Sequence, residues 1–310
     1  MGEKEAASSS PRRDLKQEVK DSILKQSLRR KLSDKIVTGL AIGCVIAAVI
    51  PLGSILVEVV RNGASAINIA FLTQPPGSMV LGDGGIGPAI QGTLIVVGLA
   101  SLIGVPVGVL AGIYLSEFAG NGKFSYGVRF FNDVLTGLPS IVVGIVGFLL
   151  LVITIGSFSA WAGAFALSII MIPIVVRVTE ETIKLVPNSI REAGYSLGIP
   201  KWKIVMFIVV KSAKGGILTG IVLATSRIAG ETAPLIMTIL GTSLFFTGFT
   251  GPIDALPLRI WRLASQPYES AHSFGWGAAL VLILLVLGMS IGLRVAARTR
   301  GVKTIDLTQL

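Results

Sequence analysis

Arg227 and Glu231 stand four residues apart in a largely apolar stretch, so a helix would set both side chains on one face. Counted from Lys214 at a membrane interface, Arg227 lies ~20 Å along such a helix, past the bilayer midplane. An unpaired charge at that depth costs at least a few kcal/mol, so these residues face a polar cavity or each other. A structural ion pair that locks two helices is one reading. The other is chemical: a guanidinium presents planar donors that grip an oxyanion bidentately. Glu231 attracts no anion, but it can hold Arg227, weaken its grip and exchange partners during gating. Arg177 follows a bend permitted by Pro173 and is either a second cation of this kind or an anchor at the inner interface.

A second constellation is REAGYSLGIPKWK at 191–203. It reads as a short amphipathic helix, a turn and a second helix. Pro187 suits a first helical turn, and Asn188 or Ser189 can cap it. Glu192 near the start complements the helix dipole. Ala193, Leu197, Gly194 and Gly198 leave a low-relief surface; Gly198 permits a sharp turn, Pro200 restarts the chain and Trp202 anchors the next helix. The product is a rigid knob whose shape suits a groove on another protein. The plainer reading is an amphipathic connector.

Other chemistry has little support. No GxxxxGK[ST] run occurs, and no Ser/His/Asp or paired-carboxylate spacing stands out. Cys44 and His272 are the only residues of their types, which excludes an intrachain disulfide and a histidine-rich zinc site. His272 reads as a polar loop residue. GDGGIG at 82–87 has no preceding strand and reads as a flexible turn rather than a nucleotide loop. No metal or cofactor is expected, and energy for any work must come from a partner ATPase or an ion gradient.

These residues must be positioned by membrane helices. The 310 residues are 52% hydrophobic and 14% charged, against about 25% charged in an ordinary soluble domain. Continuous apolar runs predict an all-α integral membrane protein with about six spans, at 36–58, 89–116, 131–155, 160–177, 213–234 and 275–296. Residues 1–35 form a basic tail and 36–310 the transmembrane domain, with the knob at 187–206. Cations gather in both tails and in the 178–212 loop, which places both termini in the cytoplasm. The net charge of +10 is better matched to anionic membrane lipids than to nucleic acid. Within the tail, Ile23, Leu24, Leu28 and Leu32 keep a helical spacing that suits the membrane surface or a solvated arm.

Glu192-Ala193-Gly194, with Gly198 six residues after the glutamate, resembles the cytoplasmic EAA loop of ABC-importer permeases. Here the second alanine is Gly194, and Ile208-Val209-Val210-Lys211 replaces the usual hydrophobic-x-hydrophobic-Pro ending. SRIAGETAPL at 226–235, GTLIVVGLASLIGVPVGVLAGIYLSE at 92–117, LPSIVVGIVG at 138–147 and ALPLRIWRLASQP at 255–267 resemble the PstA-type permeases of phosphate importers. The resemblance covers about residues 85–297. It implies a type I importer transmembrane domain, a five-helix core with one added span. It further implies a cytoplasmic ABC ATPase dimer receiving the 192–198 knob, a homologous PstC-type second permease and an extracytoplasmic phosphate-binding protein. Arginines matching Arg177 and Arg227 are associated with transport in that family. A permease for sulfate or molybdate, an ion-coupled carrier acting alone and a non-transporting sensor subunit are the alternatives. Deleting residues 1–30 is expected to leave uptake in membrane vesicles intact; failure of the truncated chain to assemble would contradict a dispensable arm.

Overall fold

The computed structural model describes residues 11–78, 83–120 and 122–298, with side chains from residue 33 to 295 of these. Lys4 and the residues after Arg298 lie outside them, as do Gly82 and the side chains of the tail's apolar stripe. Among the described residues there are helices and two isolated bridges but no strand.

The chain forms two units, one ending at Glu58 and one beginning at Val59. The first consists of most of helix α1 (Pro11–Gly63); from Ser33 through the 3-10 turn that follows it to Ala66, the chain is helical, long and apolar enough to span a bilayer. The second holds everything else, beginning with the short α2 (Ile69–Thr73), capped by the Asn68 side chain on Phe71 N. Helix α3 (Gly87–Ile113) runs on through a wide π turn, Tyr114–Phe118.

Helix α4 (Lys123–Gly137) and α5 (Ser140–Gly147) meet at a 103° bend. The cause is local: Pro139 forces Leu138 into an extended conformation, which ends α4. A second π turn, Phe148–Val152, leads into the single turn of α6 (Ile153–Ile155). Then come α7 (Ala160–Lys184), α8 (Asn188–Ser196) and α9 (Lys201–Ile204). A third π turn, Val205–Val209, joins α9 to α10 (Val210–Ala229). The chain closes with α11 (Ala233–Thr238), α12 (Leu256–Ala264) and α13 (Glu269–Arg298).

Among the described residues five helices are long and apolar enough to cross a membrane, six with the bent pair counted as one broken span. The count agrees with the sequence reading; several bounds do not. The third span is broken at Leu138–Pro139 rather than continuous. The fourth continues past Arg177 to Lys184, because Pro173 is accommodated inside α7. The fifth begins at Lys201 and stops at Ala229, before Pro234, which instead opens α11. His272 lies in α13 and meets the Gln266 carbonyl at 2.8 Å, so it is a helix residue, not a loop residue. Gly85 N donates to Pro75 O and Ile86 N to Phe71 O, so 83–87 folds back in register onto α2 instead of hanging as a free turn.

In hydrocarbon, helices gain little by burying apolar surface from lipid, so close backbone approach and van der Waals contact must hold them. The centre of the second unit shows this. Gly104, Gly108 and Gly112 form a stripe one turn apart along α3, and α7 lies directly on it. A Cβ at Gly108 would sit 2.7 Å from Val175 Cβ, and one at Gly112 would sit 2.6 Å from Thr179 Cβ. Around this seam Val96, Ala100, Leu167, Met171, Ala224, Ile228 and Ile239 are fully buried.

The loop between α11 and α12 is ordered by a buried ion pair. Arg259 Nε donates to Asp254 Oδ2 at 2.7 Å and its Nη2 to Thr242 O at 2.9 Å. Burial raises the Asp254 carboxyl above its ordinary value, with the Arg259 guanidinium pulling it back. Replacing only one partner of such a pair costs about 3–5 kcal/mol, because a buried charge is left uncompensated. Arg259→Met is therefore expected to lower the melting temperature of the purified protein by several degrees, measured by fluorescence in detergent. Gly108→Leu, overpacked by about 1–3 kcal/mol or more, is expected to lose the monodisperse peak on size exclusion.

Candidate functional site

Arg227 sits in the last turn of α10. The helix ends at Ala229, with Gly230 N and Glu231 N bonded to the carbonyls of Arg227 and Ile228. Glu231 thus lies just beyond the helix rather than on its face, yet Arg227 Nη2 still reaches its Oε1 at 3.4 Å. The pair is lopsided: the Arg227 side chain is 60% exposed and that of Glu231 16%. Arg227 lines an open cavity of about 640 Å³ with Thr136, Pro139, Ser140, Pro173 and Leu223. Ser140 is the first residue of α5, so the positive end of that helix lies on the same cavity as the guanidinium. Hydroxyl, helix start and arginine together favour an anion over a cation or an apolar ligand.

Arg177 lines a different hollow, of about 200 Å³, with Arg129, Asn132, Asp133, Glu180, Glu181 and Lys184. It contacts Asp133 at 3.1 Å and Glu181 at 3.0 Å. Arg129 and Lys184 both reach Glu180, at 2.9 and 2.5 Å. Three cations therefore face three carboxylates. The two hollows follow each other along α4 and α7: Asn132 and Asp133 line one, Leu135 and Thr136 the other. Between them, Asn132 Nδ2 donates to Pro173 O at 3.4 Å. The structure thus places Arg227 and Arg177 in neighbouring cavities and not in one.

The 191–203 segment folds as helix, turn, helix. Gly198 takes φ +71°, the left-handed conformation that ends α8 cheaply only with glycine. The cap differs from expectation. Pro187 occupies the N-cap position without a side-chain bond, and Asn188 instead accepts from Arg191 Nη1 at 3.2 Å. Glu192, Ala193, Tyr195 and Leu197 are exposed. Gly194 is not part of that surface: it is buried, and a Cβ there would meet Ile204 Cδ1 at 2.8 Å. Its smallness lets α8 lie flat on α9.

Sequence reasoning did not find Asp133, Glu181, Thr136, Ser140 or the partners of Arg191. The available signal was Asn132-Asp133 inside the apolar run FFNDVLTG, where a carboxylate needs a reason to be. Among the described residues no cluster of His, Cys, Asp and Glu is arranged to hold a metal ion.

A family model described as "Binding-protein-dependent transport system inner membrane component" matches residues 104–303. Phosphate transport system permease protein PstA of Haemophilus influenzae is 40% identical over 269 residues, 86% of this chain and 95% of the relative. A probable phosphate transport system permease protein PstA of Methanocaldococcus jannaschii is 37% identical over 89% of this chain and 98% of its own. Phosphate transport system permease protein PstA 1 of Mycobacterium tuberculosis is 37% identical over 94% of this chain and 95% of its own, so similarity extends beyond residues 85–297. Among solved structures, a bacterial ABC transporter that imports the polysaccharide alginate superposes with a TM-score of 0.61 at 16% identity, over 90% of this chain and 99% of its own. The inward-facing MetNI methionine ABC transporter gives 0.55 at 18% identity, over 69% and 94%. At those identities the likeness concerns the fold, which is that of an ABC-importer transmembrane subunit.

Proposed function

The chain belongs to the family of binding-protein-dependent transport system inner membrane components, and from that premise we propose that it is the PstA-type permease subunit of an ATP-driven phosphate importer. The observation that carries the anion is Arg227, held by Glu231 and lining a cavity that Ser140 and the start of α5 also line. Similarity to PstA proteins over nearly the whole chain supports phosphate over sulfate or molybdate.

The chemistry follows from the pairing. Phosphate entering the cavity meets a guanidinium already half-satisfied by a carboxylate. It gains bidentate, charge-assisted hydrogen bonds, but Glu231 competes for the same donors, so the anion is held weakly and released. The neighbouring hollow repeats the arrangement with Arg177 between Asp133 and Glu181. An anion there must displace carboxylates that return when it leaves. Transport requires such exchange; a naked arginine would retain its cargo.

One chain supplies one wall. The opposite wall belongs to a homologous second permease, facing the apolar side chains that α4 and α5 leave exposed, among them Phe131, Val134, Ile141 and Ile145. On the cytoplasmic side α8 docks on one protomer of an ABC ATPase dimer through Glu192, Ala193 and Leu197; Gly194 and Gly198 give α8 its shape. An extracytoplasmic phosphate-binding protein delivers substrate to the opposite face. Both termini lie in the cytoplasm, and this subunit hydrolyses no ATP itself.

Arg227→Gln, in the full importer reconstituted in liposomes, should cut phosphate uptake by about 10-fold or more, as expected for losing hydrogen bonds to a charged group. Its abundance and its copurification with the ATPase should stay unchanged. Equal loss of uptake and abundance would favour a structural pair. Competition by sulfate or molybdate at parity with phosphate would overturn the choice of anion.

A further inference from the structure

Arg191 opens the EAA-like segment and points away from the docking face. A guanidinium has five N–H donors, and all five are engaged here. Nε and Nη2 donate to Glu117 Oε1 at 3.1 and 2.6 Å. Nη1 donates to Val186 O at 2.7 Å and to Asn188 Oδ1 at 3.2 Å. Nη2 also donates to Ile183 O at 3.1 Å. The side chains are 15% and 7% exposed, so the pair is shielded from screening.

The partners identify what is joined. Ile183 belongs to the last turn of α7 and Val186 to the link that follows, so Arg191 binds carbonyls at the end of that helix, Ile183 O also accepting from Val186 N. Glu117 lies in the π turn Tyr114–Phe118 that ends α3. The same π turn is held from its other side by Arg129 of α4, whose Nη2 donates to Leu115 O at 2.9 Å while its Nε pairs with Glu180 of α7. Polar contacts therefore lead from α8 to Glu117, through the backbone of the same π turn to Leu115 O and Arg129, and on to Glu180, which lines the polar hollow that Arg177 also lines. One turn further along α8, Gly194 packs against Ile204 of α9.

We propose that Arg191 and Glu117 are a positioning pair that transmits displacement of α8 to the π turn of α3 and so to the Arg129–Glu180 pair. This rests on the reading that α8 docks on the ATPase. The pair lies outside the docking face, so breaking it separates docking from coupling. A lysine cannot replace Arg191, since an ammonium has three donors and no planar fork.

The test uses the complete importer in liposomes, with phosphate-loaded binding protein supplied from outside. Glu117→Gln keeps shape and hydrogen bonding but removes the charge. It should leave ATPase copurification and basal hydrolysis intact while lowering phosphate transported per ATP by about fivefold, a coupling change typical of residues between two sites. Arg191→Lys should behave similarly, and Arg191→Glu more severely. The exchange Arg191→Glu with Glu117→Arg should recover part of the lost stoichiometry. Normal stoichiometry in Glu117→Gln and Arg191→Lys would overturn the proposal, and so would an exchange variant no better than Arg191→Glu at equal abundance. Glu192→Lys is the separate control. If it retains both ATPase binding and coupling, the docking reading fails; if it loses them while Glu117→Gln stays normal, only the positioning pair fails.

Discussion

The backbone contact between α3 and α7 is what the rest of the second unit is built around. A bilayer supplies no strong apolar reward for bringing helices together, so the attraction must come from many small contacts at short range. The glycine stripe makes these possible by letting Val175 and Thr179 occupy space that any side chain on α3 would fill. With that seam closed, α7 holds Pro173 and Arg177 toward α4, and α10 lies against α7 with Arg227 on the cavity that Thr136 and Pro173 also line. Even the helix ends follow from it: the end of α3 and the end of α7 emerge close enough for Arg191 to reach both.

Two polar hollows then share walls but differ in character. At the first, one arginine projects into a spacious cavity with a single carboxylate set back beside it. At the second, three cations and three carboxylates balance, and each cation is paired with at least one carboxylate. The gradient runs from a lone positive charge toward a charge-balanced network, with Asn132 bonded to the Pro173 carbonyl where they adjoin. A proline inside a helix leaves a backbone acceptor without its usual donor and loosens the local geometry, which suits a junction that must rearrange.

The spans and the basic segments were legible from the sequence because apolar length and lysine placement are properties of the chain by itself. The EAA-like knob was legible because its glycines and prolines impose conformations locally, and Gly198 adopts the one its position requires. What escaped depends on distant parts of the chain. Glu117 and Arg191 are 74 residues apart, and Asp133 and Arg177 are 44 apart. No periodicity couples such positions. Gly194 was read as part of a smooth outer surface, whereas its neighbour Ile204 makes it an inner one. Arg259 is buried against Asp254 by the fold, and nothing in its local sequence announces that. Leu138–Pro139 was the one misplaced element with a local warning, since a residue before proline resists helix.

Among the described residues three helical segments carry a wide turn, at Tyr114–Phe118, Phe148–Val152 and Val205–Val209. Each such turn stores one residue more than an α-helix needs over the same length. That surplus can travel along the rod as neighbouring amides swap acceptors, breaking few bonds at any instant. Side chains it passes turn through about 100° about the axis. Rotation of this kind lets one end of a rod be cranked while the other stays seated, with no unwinding between them.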